Sequence, residues 1–110
     1  MVSVFLEAVP ANMLVARAVC RDNEDNNATF VHFGMMIRIR GDEKLVLNRE
    51  IIEQAIGRGL TENEWQSVMW NYIGVISKSE QKEIIFEDSE ESKAMDEYWD
   101  KQLESLKKKT

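Results

Sequence analysis

Cysteine, proline and histidine each occur once in this sequence, and each scarcity closes off a class of function. A lone Cys20 makes no internal disulfide, so no disulfide framework holds the fold and a reducing compartment suits it. A lone His32 leaves neither a hydrolase triad of the usual kind nor a histidine-rich transition-metal site to assemble. The five glycines do not form a phosphate-cradling loop after a strand, and "GRG" at residues 57–59 reads as a turn between helices. No apolar run approaches the roughly 20 residues that cross a bilayer. The opening "MVSVFLEAV" lacks the basic leader and small-residue cleavage site of a secretory signal, so the chain reads as cytoplasmic with no membrane association. Calcium is a poor fit as well. "DNEDNN" starts like a calcium loop, but Asn27 stands where the loop requires glycine and Phe33 where it requires glutamate. No cofactor or metal is expected.

What the sequence has in quantity is acid, unevenly placed. The formal net charge is −6 over 110 residues, yet residues 83–100 alone carry eight acids against Lys93, leaving the remainder at +1. A nearly neutral domain therefore carries one acidic segment, "EDSEESKAMDEYWDK". The expected division is an α+β core over residues 1–80, then an acidic strand or linker and a C-terminal helix over 81–110.

Residues 3–9, 13–21 and 30–40 are rich in Val, Phe, Ile and Met, with polar turns between them, which is the pattern of strands. As a meander they have one register that gathers the apolar positions: Ala8 opposite Leu14, Cys20 opposite Val31, Ala18 opposite Phe33, Ala16 opposite Met35. Slipping by one residue buries Arg17. The competing reading of residues 10–20 is a helix with Pro10 in its first turn and several alanines. A short strand at 44–47 follows. Asn48 then caps a helix with Ile51, Ile52, Ala55 and Ile56 on one stripe, ending at Gly57 or Gly59. In "LTENEW", Thr61 and Glu64 have capping-box spacing and Leu60 and Trp65 that of a hydrophobic staple, which predicts a helix from Glu62 through Ile73. "KEIIFE" reads as a strand. A final helix over 89–107 carries Met95, Trp99, Leu103 and Leu106 on one side. The expected fold is thus α+β: an antiparallel sheet of three or four strands, a helix pair on one face, and an acidic amphipathic helix at the end.

Function is read from these faces. Cys20 activated by His32 is the one nucleophile worth weighing, and the meander register sets the two on opposite faces, so no enzyme is expected. An isolated helix at the C-terminus does not hold in water, so its apolar stripe docks on the core, a second copy or a partner. The preferred reading is a non-catalytic protein-binding protein: an inhibitor or immunity-type protein, bacterial or phage-encoded, that blocks a basic partner surface or mimics nucleic acid. Its contact residues are Glu90, Glu91, Asp96, Glu97, Trp99 and Asp100, with Trp70 as a further anchor, and the C-terminal helix is a possible dimer contact. The alternative is a small regulatory domain that binds nucleic acid. It would use either the helix pair at 50–70, which has a helix-turn-helix outline, or a sheet face carrying Arg17, Arg21, His32, Arg38 and Arg40. Direct nucleic-acid binding is disfavoured because the second helix opens on Glu62 and Glu64.

Overall fold

The computed structural model describes residues 1–67 and 71–108, without the side chains of Ser92, Asp96, Trp99 and residues 103–108. Two antiparallel sheets enclose the core. The first has the order β2-β3-β1-β5, from Thr29–Phe33, Met36–Gly41, Val2–Glu7 and Tyr72–Ile73. The second has the order β4-β7-β6, from Lys44–Asn48, Glu83–Glu87 and Val75–Ser79. Helices α1 (Pro10–Asp22), α2 (Arg49–Ile56) and α3 (Glu62–Ser67) precede the last strands, and α4 (Glu90–Lys108) closes the chain. The expected α+β class and the terminal helix are both present.

Alternation decides which way each strand faces. On β1 Val2 and Val4 are fully buried, and on β3 Ile37 and Ile39 meet them, with Val4 paired to Ile39 and Leu6 to Ile37. The second sheet contributes Leu45, Leu47, Ile84 and Phe86. Val15, Ala16 and Val19 of α1, Ile52 of α2 and Trp65 of α3 fill the space between. Residues of both sheets and three helices thus share one core.

The meander expected from residues 3–40 does not form. Residues 13–21 lie within α1, with Pro10 at its start, and β1 pairs with β3 instead. The alternating set Leu14, Ala16, Ala18 and Cys20 fits a strand on paper, but the helical stripe Val15, Ala16 and Val19 buries more bulk against two sheets. Cys20, Phe33 and Met35 therefore do not form a buried cluster. Met35 is 78% exposed, at the tip of a hairpin whose two-residue loop opens on Gly34 at φ +56, where the favoured hairpin turn needs glycine. The helix expected through Ile73 is also cut short. Tyr72–Ile73 is a strand beside β1, and Gly74 at φ +137 turns the chain toward β6. A Cβ there would lie 2.7 Å from the Glu87 carbonyl oxygen, so glycine is required by space as well as by angle.

The end signals at 48 and 61 hold. Asn48 Oδ1 accepts from the Ile51 amide at 3.3 Å, and Gly57 ends α2 at φ +76. Thr61 Oγ1 accepts from the Glu64 amide at 3.1 Å while Glu64 Oε1 accepts from the Thr61 amide at 3.1 Å, a complete capping box. Bonding to the Arg58 guanidinium, and then to the Thr61 amide, pulls the Glu64 carboxyl down to about 2. A depressed carboxyl stabilises the fold above its unfolded value, about 4.3, and that contribution disappears as pH falls toward 2. Between pH 5 and 2 the parent's melting midpoint should therefore fall more steeply than that of Glu64→Gln, which keeps the box without the titration. Parallel melting curves for the two proteins would contradict this.

Candidate functional site: the arginine face and its apolar margin

The alternation that buries Ile37 and Ile39 sends Arg38 and Arg40 to the outer face of the first sheet, with Ser3 and Phe5 of β1 beside them. Arg38 is nevertheless 2% exposed. Its Nε donates to Ser3 Oγ at 3.0 Å, its guanidinium lies 5.7 Å from the Phe5 ring centroid, and its Nη1 is 3.8 Å from Asp100 Oδ1. Arg40 Nη2 is 3.5 Å from the other oxygen of the same carboxylate. The acidic helix α4 thus folds back across the arginine face. Two separate features of the sequence, an arginine-bearing strand and an acidic helix, meet within one chain.

Beyond the pair the face turns apolar. Val31 and Phe33 of the free-edged strand β2 point outward beside Arg38 and Met36, and both are exposed. The Met35 carbonyl accepts from the Ala8 amide at 2.8 Å, which brings the hairpin tip next to exposed Val9 at the start of α1. Val9, Val31, Phe33 and Met35 form an uncovered apolar margin. Such a patch on an otherwise charged surface marks a place of contact.

The other residues singled out in the sequence fall elsewhere. Arg17 and Arg21 are on α1, lining a shallow groove of about 590 Å³ against Ile51 and Ala55 of α2, and so share no sheet face with Arg38 and Arg40. His32 sits on β2, with Nε2 3.0 Å from the Gly34 carbonyl oxygen. Cys20 is half buried on α1, and burial pushes its thiol up, away from the thiolate a nucleophile needs. Among the described residues no group of three acids, histidines or cysteines is placed to hold a metal. Nor is any described helix long and apolar enough to span a membrane. Glu90, Glu91 and Glu97 are exposed on α4, and Asp100 is half exposed over the arginines. Trp70 and the side chains of Asp96 and Trp99 lie outside the described residues. In the helix pair Arg49 binds Glu62 at 2.8 Å and Arg58 binds Glu64 at 2.7 Å, so the basic groups a phosphate would need are already matched to acids.

Residues 1–87 match the MmoB/DmpM family, from the first strand through the last strand of the core. The chain belongs to this family. Two solved structures of a phenol hydroxylase–regulatory protein complex contain similar chains. The first is 30% identical with a TM-score of 0.61, over 80% of this chain and 98% of that one. The second is 30% identical with a TM-score of 0.58, over 78% and 96%. No curated protein matches at a significant level. Membership in the family fits a non-catalytic protein that binds another protein. It corrects the expectation of an inhibitor or immunity protein and that of a nucleic-acid mimic. The margin is hidden in the sequence because alternation puts Val31, Phe33 and Met35 on the apolar, core-facing set of the expected meander. The Gly34–Met35 turn is the signal that would have found it.

Proposed function

We propose that this chain is a regulatory protein that docks on the hydroxylase of a phenol or methane monooxygenase type of complex and adjusts its turnover without supplying catalytic groups. The observation that carries the reading is the match of the whole core, residues 1–87, to a family with members near a hydroxylase–regulatory protein complex. The geometry supports one surface for that docking. Val31 and Phe33 on the edge strand β2, Met35 at the hairpin tip and Val9 at the start of α1 are bulky and exposed, the properties of an interface core rather than a rim. The exposed carboxylates Glu90, Glu91 and Glu97 on α4 steer encounter with a basic surface, and Trp70 and Trp99 are further anchor candidates.

The test is capture of the hydroxylase from the native host on immobilised protein. The parent retains it. Phe33→Asp places a charge in the margin and should weaken binding at least tenfold, about 1.4 kcal/mol, while leaving the melting midpoint within 2 °C or so because Phe33 is outside the core. Equal retention of parent and Phe33→Asp moves the docking surface elsewhere; no hydroxylase on either protein contradicts the function itself.

A further inference from the structure

Each sheet has two edge strands, and all but one of these edges are guarded against pairing with another chain. Strand β5 is two residues long. Strand β6 carries Lys78 and a register shift between Ile76 and Lys78. Strand β4 has its Val46 amide and carbonyl taken up by the Asn23 side chain. Shortness, charge, irregular register and covering groups are the devices that keep a sheet edge from acting as a template. Strand β2 has none of them. Between Thr29 and Phe33 there is no Lys, Arg, Asp, Glu, Pro or Gly, the strand pairs with β3 in unbroken register, and it ends the sheet. The two-residue hairpin also fixes which groups this edge offers. Phe33 and Met36 flank the loop and exchange both bonds, so Val31 does the same with Arg38 and Thr29 with Arg40, and the amides and carbonyls of Phe30 and His32 point away from β3. Those outward groups have no partner among the described residues.

We propose that β2 is a self-association site: two copies of the chain pair antiparallel along β2 about a two-fold axis at Val31, joining their four-stranded sheets into one continuous sheet. The occupant is a second copy because the strand is complementary to itself. With Val31 opposite its own copy, Phe30 falls opposite His32 of the second copy and His32 opposite its Phe30. Both pairs then exchange two backbone bonds, which uses every outward group of the strand. On the outer face Val31 meets Val31 and Phe33 meets Thr29, so exposed Val31 and Phe33 are withdrawn from water. No formal charge lies on either strand, and the seam escapes the self-repulsion of a chain whose net charge is −6. A five-residue seam falls short of the roughly 800 Å² per partner of a stable interface, which makes this a weak dimer that forms with concentration. This inference concerns the free chain and stands whether or not the hydroxylase reading holds.

Sedimentation velocity of the full chain at physiological salt, from about 10 μM to about 1 mM, tests it. The weight-average coefficient of the parent rises from the monomer value toward that of a dimer. His32→Pro removes an outward amide without touching a bond to β3, a place where an edge strand accepts proline, and Val31→Lys sets two ammonium groups against each other at the axis. Each should weaken self-association at least tenfold. Melting curves show that the variants are folded, and Val31→Lys, a surface change, decides alone if His32→Pro is not. Disulfide mapping fixes the register. In a Cys20→Ser background Val31→Cys links two chains on mild oxidation, because directly opposed residues of this kind have Cα atoms about 4.5 Å apart. Thr29→Cys, roughly 13 Å along the strand from its own copy, does not link to itself, but it does link to Phe33→Cys when the two proteins are mixed. A parent that stays monomeric throughout overturns the proposal. So does self-association that Val31→Lys leaves unchanged, which puts the contact elsewhere, the C-terminal helix included, and so does a Thr29→Cys link that forms as readily as the Val31→Cys one.

Discussion

Trp65→Ala is expected to destabilise the protein by about 3–5 kcal/mol. Trp65 is 2% exposed in the core that α3 shares with both sheets, and it is the largest fully enclosed side chain among the described residues. Truncation opens a void in a packed core, where the neighbouring side chains relax only in part. Two further interactions vanish with the ring. The indole Nε1 donates at 3.0 Å to the Glu80 carbonyl in the β6–β7 turn, and the Arg49 guanidinium lies 5.8 Å from the ring centroid. The indole thus ties the only turn of the second hairpin to the helix pair. Trp65→Phe keeps most of the volume and loses the donor, so it should cost less than half as much as alanine. Urea denaturation measures both; a loss under about 1 kcal/mol for Trp65→Ala would mean that the site is not a packed core.

Asn23→Ala should cost about 3 kcal/mol through hydrogen bonds rather than volume. Strand β4 is the edge of its sheet, and the Asn23 side chain pairs with it as a neighbouring strand would. Nδ2 donates to the Val46 carbonyl and Oδ1 accepts from the Val46 amide, each at 2.8 Å, while Nδ2 also reaches the Val19 carbonyl at 2.8 Å. Asn23 itself is 2% exposed. Removing it orphans a backbone amide and carbonyl where little water enters, and each unpaired group costs about 1–3 kcal/mol. Asn23→Leu, which conserves volume, should be as destabilising as alanine. If Leu restores stability, the amide clasp is not what holds the strand edge.

Asn23 shows why part of this fold was legible and part was not. In the sequence it sits in "DNEDNN", where a polar loop is the natural reading, and nothing local announces a long-range clasp. Local signals that close on themselves were readable: Asn48 and Gly57 at the ends of α2, the Thr61 and Glu64 box, the strand at 83–87 and the helix that follows it. Helix α1 was hard to read because it has no capping side chain; Val9 is at its N-cap position, and Asn12 Nδ2 instead donates back to the Glu7 carbonyl at 2.8 Å. Its apolar residues satisfy period two and period 3.6 together, so only the tertiary alternative, β3 beside β1, decides between them. The β5–β6 region failed for a similar reason. Tyr72, Ile73 and Ile76 continue the helical spacing begun by Trp65, yet Tyr72–Ile73 pairs with β1 as a strand and Gly74 turns the chain into β6. Of the candidate site, the chemistry was legible and the placement was not. Both the acids of α4 and the pair Arg38 and Arg40 were visible as charged surfaces, but their contact with each other depends on how the chain returns over the sheet.

The most direct measurement of the account's central claim is steady-state turnover of the host hydroxylase, reductant held in excess, as this protein is titrated in. The account predicts that the rate changes severalfold and levels off at a fixed ratio of protein to hydroxylase, and that Phe33→Asp shifts the titration to at least tenfold higher concentration. A rate that stays flat from zero to excess protein, with a hydroxylase shown to be active, would contradict it.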